Sequence, residues 1–209
     1  MLGTFRAVRR VCFCLLAGLL LVGGWLLHEQ EELADSMIRL HVVANSDSEE
    51  DQALKLAVRD RVLELAAGLY PAQATLEEAR AVLSDHLDQL SRAGQQVVQE
   101  WGRTYPVSAR LERCWFPTKA YEGFALPAGT YNALNIIIGE GVGQNWWCVA
   151  FPPLCLGAAA QPLESAVQSG AFTEDQARLM AEEEGGYVLK FRCMELLGKL
   201  QGFFRSYSA

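Results

Sequence analysis

Four constellations in the chain could do chemistry. Cys148 with His41 or His86 would make a thiol–imidazole pair, in which the imidazole takes the thiol proton and a cysteine hydrolase results. Cys148 has a second suitor in Cys155, across Pro152-Pro153. Closing that loop of about eight residues would contribute roughly 2.5 kcal/mol by the chain-entropy model; the alternative is two buried free thiols. Gly139, Gly141 and Gly143 imitate a phosphate loop. A dinucleotide fingerprint needs a helix after its glycines, and Gln144-Asn145-Trp146-Trp147 prefers a strand, so a glycine-rich hairpin turn is expected instead. Asn45, Asp47 and Glu49 alternate as in a calcium loop, but Glu50 stands at the obligatory glycine and Leu56 at the closing carboxylate. A helix cap explains the same residues. Histidines and cysteines show no zinc spacing, so no metal and no cofactor is expected.

Binding offers a different reading of the stretch from Gly139 to Cys155. Trp146 and Trp147 are adjacent, so on a strand they point to opposite faces. One enters the core; the other packs beneath a helix or lies exposed as an anchor for a protein partner. Gln144 and Asn145 join them as contact candidates. Burial of both tryptophans is the alternative.

These residues need elements to position them. Ile38, Leu40 and Val42 alternate with Arg39 and His41, a first strand with one apolar face. Ser48 with Asp51 three residues on opens a helix to about Ala67, striped by Leu54, Val58, Val62 and Leu65. Thr75 with Glu78 opens a second, which continues, after a break near Ser91, to Trp101. Strands follow at about 107–115, 121–126, 131–138 and 145–151. Thr173 with Gln176 opens a short acidic helix, and Tyr187 to Phe203 forms a last one with a core-facing stripe. Grouped helices and grouped strands predict an α+β fold: an N-terminal strand, two or three helices, an antiparallel meander and a C-terminal helix.

Composition bounds the class. Arg6, Arg9 and Arg10 precede Val11–Leu27, a run without charge that spans about 25 Å as a helix. Both a cleavable signal peptide and an uncleaved membrane anchor fit residues 1–27. Arginines before the run and acids after it place the body outside the membrane. Residues 28–37 read as an acidic linker and 38–209 as one extracytoplasmic domain. With the three arginines set aside, 15 of the 18 bases remain against 25 acids, a formal charge of −10. That argues against nucleic acid as a partner and against electrostatic adhesion to anionic lipid.

Four stretches resemble one family. I-R-L-H-V-V-A-N-S-D-S-E-E-D-Q-A-L-K-L-A-V-R-D from Ile38, F-P-T-K-A-Y from Phe116, L-P-A-G-T-Y-N-A-L from Leu126 and G-E-G-V-G-Q-N-W-W-C-V-A-F-P-P-L-C from Gly139 look like stage II sporulation protein R, in the right order. His41, Asn45, Asp47 and Asp51 are signature positions of the first stretch. The resemblance implies a protein made in the forespore and exported to the space between the two septal membranes. There it signals to a membrane-embedded aspartic protease of the mother cell, the stage II sporulation GA protein, which processes pro-sigma-E. On this reading the chain is a ligand without catalysis of its own, and it touches membrane only through an uncleaved N-terminal segment. A cysteine hydrolase using Cys148 and His41 is the alternative. Residues 158–186 match no motif, and Cys114 and Cys193 lie outside the motifs.

Overall fold

The computed structural model describes residues 28–71, 73–121, 124–154 and 163–181, with isolated positions between 13 and 25. The segment 1–27 and the helix expected at Tyr187 to Phe203 thus fall largely or wholly outside the described residues. Among the described residues no helix is long and apolar enough to cross a membrane.

The chain enters β1 (Ile38–Val43) from a helical segment, 28–35. Next come helices α1 (Glu49–Leu69), α2 (Leu76–Asp85) and α3 (Leu87–Glu100). Strands β2 (Val107–Phe116), β3 (Lys119–Tyr121), β4 (Phe124–Leu126), β5 (Gly129–Ile138) and β6 (Asn145–Phe151) follow, then the short helices α4 (Leu163–Gln168) and α5 (Glu174–Ala181). Local signals act where they should. The Ser48 hydroxyl accepts from the Asp51 N–H, and Thr75 with Glu78 forms a reciprocal capping box. Thr173 and Gln176 exchange the same pair of bonds ahead of α5. The break in the second helix falls at His86 rather than near Ser91. There the backbone leaves helical geometry and the ring Nδ1 lies 2.7 Å from the Val82 carbonyl, capping α2.

The fold is α+β, with an antiparallel-rich sheet of order β2-β5-β1-β6. β2 pairs antiparallel with β5 and β6 antiparallel with β1, while β1 runs parallel to β5. Successive strands β5 and β6 are therefore separated by β1. The glycine-rich stretch expected to be a hairpin turn instead crosses over the end of β1, a span of about 10 Å at ordinary strand spacing.

Leu40 and Val42 of β1, Leu134 and Ile136 of β5, and Leu54, Val58, Val62, Leu90 and Val98 of the helices are fully or almost fully buried together. Burying each such side chain is worth about 1.5–3 kcal/mol. The other sheet face is covered too. Arg39 is fully buried there, and the β3–β4 hairpin reaches it through Tyr121. The helical segment 28–35 is tied by Arg113 to Asp35 at 2.9 Å and by Gln30, whose amide donates to the Ala128 carbonyl.

Candidate functional site

A groove of about 750 Å³ opens where the two faces meet at β6. One wall is α1, with Lys55, Leu56 and Arg59; the opposite wall is the hairpin, with Lys119, Tyr121 and Phe124. The floor is Gln144 with β6 from Asn145 to Cys148. The register sets the tryptophans: Trp146 stands beside Val42 on the helix side, and Trp147 beside His41 on the other. Both are half-buried, and both border the groove. Gln144 and Asn145 are exposed at its rim. The four contact candidates are thus contiguous in space.

The groove's polar groups are mostly donors. Lys55 is 4% exposed, and its ammonium donates to Gln52 Oε1 at 2.6 Å and to the Gln144 carbonyl at 3.1 Å. Burial lowers its pKa, Arg59 lowers it further, and Asp47 pulls the other way. The Arg59 guanidinium lies 4.4 Å from the Trp146 ring centroid and pairs with Asp60. The Trp146 indole N–H is buried and finds no acceptor among the described residues.

Behind the hairpin wall sits Arg39. Its guanidinium lies 4.1 Å from the Phe116 centroid and 4.9 Å from that of Tyr131. Among the described residues it has no carboxylate partner. Nη2 donates to Tyr121 Oη at 2.6 Å, Nε donates weakly to the Cys148 carbonyl, and Nη1 has no acceptor. Tyr121 in turn donates to the Trp147 carbonyl at 3.1 Å. One hydroxyl therefore ties the hairpin, a buried cation and β6 together. A desolvated cation–π contact stabilises by about 2 kcal/mol, which offsets part of the guanidinium's desolvation.

His41 packs flat on Trp147 at 3.9 Å and edge-on to Phe116 at 6.0 Å. Its ring nitrogens face Asn135 Oδ1 at 2.9 Å and Asn145 Oδ1 at 2.7 Å. Asn135 is fixed by its own amide donating to Glu112. The exposed Asn145 can turn its amide to donate, which suits a neutral ring. Burial depresses the His41 pKa against the raising effect of both asparagines.

Asn45 and Asp51 belong to a separate node. The Asp51 carboxylate accepts from Ser46 Oγ at 2.6 Å and Asn45 Nδ2 at 2.8 Å, while Asn45 Oδ1 accepts from the Glu140 N–H at 3.1 Å. Burial would raise the Asp51 pKa; the bonds from Ser46, Asn45 and Tyr105, with the Arg103 charge, more than reverse that and lower it. The β1–α1 loop and the β5–β6 crossing are thereby locked. Gly143 donates to the Ala44 carbonyl, and a Cβ there would overlap the Ser46 carbonyl. Gly139, at φ +60°, leaves room for the Asn45 side chain. Asp47 is exposed, and its charge acts on Lys55.

Cys148 and His41 are not brought together. Cys148 stands opposite Leu40 on the helix side, His41 opposite Trp147 on the other, and Cys148 is disulfide-bonded. The thiol–imidazole pair is thereby corrected: strand alternation sends the two side chains to opposite faces. Cys155, the expected disulfide partner, lies outside the described residues, as does Cys193. Cys114 carries a free thiol near Asn135, and burial raises its pKa. Sequence reasoning passed over Arg39, Lys55, Arg59 and Tyr121. Each carried a signal all the same: Arg39, Lys55 and Arg59 lie in the stretch from Ile38 to Asp60, and Tyr121 ends F-P-T-K-A-Y.

Against known families, residues 34–161 match the model of stage II sporulation protein R. Among curated proteins, the stage II sporulation protein R of Bacillus subtilis strain 168 is 36% identical over 158 residues, covering 70% of each chain. No solved structure matches the chain.

Proposed function

The chain belongs to the stage II sporulation protein R family, and on that premise we propose that it is the exported signal that switches on the membrane aspartic protease responsible for processing pro-sigma-E. The observation that carries this reading is the extent of the family match. Residues 34–161 include every motif, the groove and the node that locks the loops above it. Three features agree with a ligand. The anionic body would stay off anionic lipid. The exposed Gln144 and Asn145 stand beside the two tryptophans at an open groove. Cys148 and His41 lie on opposite faces.

The N-terminal run serves export, and the domain works in the space between the septal membranes, free or tethered. Its partner is the stage II sporulation GA protein, which does the proteolysis. Complementation tests this. In a spore former lacking its own family member, this chain should restore sigma-E-dependent transcription, and a form without residues 1–27 should not. Restoration by the unexported form would refute the role proposed for export.

A further inference from the structure

We propose that the groove beside β6 is a docking site for a carboxylate-bearing extended segment of a partner protein, gripped by Lys55, Arg59 and the Trp146 indole N–H. The inference rests on the signalling reading only in taking the partner to be a protein.

Charge complementarity is the first argument. Acids outnumber bases in this chain, yet the groove lining includes Lys55, Arg59 and Lys119 and neither Asp nor Glu. A local excess of donors on an anionic surface selects acceptors.

The groove also holds donors whose hydrogen bonding is unmet. An ammonium has three donors, and Lys55, though 4% exposed, meets only the neutral acceptors Gln52 Oε1 and Gln144 O among the described residues. The Trp146 Nε1 donor is buried beside it with no acceptor among those residues. Buried donors without acceptors are costly, and an incoming carboxylate offers about four lone-pair sites to satisfy them. The Arg59 guanidinium, 4.4 Å from the Trp146 ring centroid, adds a planar fork there; its present partner is the exposed Asp60, which an incoming carboxylate would displace or share.

The Gln144 and Trp147 carbonyls already accept from Lys55 and Tyr121, so that part of β6 is poorly placed to recruit a further strand. Recognition falls to side chains: donors for the carboxylate, and Leu56, Leu63, Phe124 and Leu154 for its apolar neighbours. The volume is that of an ordinary ligand pocket.

The test uses the full chain in detergent and fluorescein-labelled decapeptides of alternating threonine and leucine, with Glu, Gln or Lys at the centre. Anisotropy titrations at low salt should rank Glu above Gln by about tenfold or more, with Lys weakest. Arg59→Gln and Trp146→Phe should each erase most of the Glu preference while leaving the urea midpoint close to wild type. Equal affinity for Glu and Gln, or no saturable binding of the Glu peptide, overturns the inference. So does a Glu preference that survives both substitutions. The same variants in a pro-sigma-E processing assay separate the two claims. Processing that persists in both variants sinks the docking site alone. A wild-type chain that prefers the Glu peptide but triggers no processing sinks the signalling reading alone.

Discussion

Removing one oxygen at Tyr121 should be among the most damaging conservative changes available in this fold. The Tyr121 hydroxyl accepts from Arg39 Nη2 at 2.6 Å and donates to the Trp147 carbonyl at 3.1 Å. In Tyr121→Phe the ring still stacks on Phe124 at 4.8 Å, so packing survives. Two polar groups lose a partner, however: the half-buried Trp147 carbonyl and a fully buried guanidinium whose Nη1 already lacks one. An orphaned neutral group costs about 1–3 kcal/mol and a charged one more; the relief of no longer burying a hydroxyl offsets part of that. A net loss of about 3 kcal/mol follows. With a urea m-value of about 2 kcal/mol/M, the midpoint should fall by about 1.5 M. Tyr70→Phe is the control, because its hydroxyl donates to the Ala150 carbonyl at 2.7 Å and its loss should cost about 1 kcal/mol. Arg39→Met removes the charge that needs the hydroxyl, so Tyr121→Phe should cost far less in that background. If Tyr121→Phe shifts the midpoint no more than Tyr70→Phe does, or if its cost is unchanged in Arg39→Met, the tie between hairpin, cation and β6 is wrong.

Gly143→Ala pushes a Cβ into the Ser46 carbonyl and to 2.9 Å from the Ala44 Cβ; it should destabilise by about 3 kcal/mol in urea unfolding. Gly102→Ala, with φ +69° but open space around it, should cost only about 1 kcal/mol. Asp51 has a folded pKa below its unfolded value, so its contribution is complete above about pH 4 and is lost as pH falls through the folded value. Asp51→Asn should lose about 2 kcal/mol at neutral pH and flatten the acid limb of stability against pH; an unchanged acid limb would refute that assignment. Cys148 should resist alkylation until reduced, and non-reducing peptide mapping should link it to Cys155; a peptide joined to any other cysteine would redraw the loop after β6.

Much of the local structure was legible because its causes are local. Ser48, Thr75 and Thr173 announce helix starts through side chains that reach only three residues ahead. Strand alternation put Trp146 and Trp147 on opposite faces, as the register confirms. Strand order was illegible because it depends on pairing across distant parts of the chain. Nothing in Tyr131–Phe151 says that β1 lies between β5 and β6. The three glycines were misread for the same reason. Gly143 is small because a loop from about a hundred residues earlier passes against it. Arg39 and Lys55 read as ordinary polar positions on a strand and a helix. They are buried because the hairpin and the β5–β6 crossing cover them. The groove has one wall from α1 and one from β3–β4, so no stretch of sequence could display it.

On the function proposed above, this chain switches on a protease in a neighbouring membrane. Reconstitution in a non-sporulating bacterium tests it most directly: the stage II sporulation GA protein, pro-sigma-E and this chain are produced together, and pro-sequence removal is followed by immunoblot. Processing should occur only when the chain is present and exported across the membrane. Export verified by fractionation, with pro-sigma-E left intact, would contradict it.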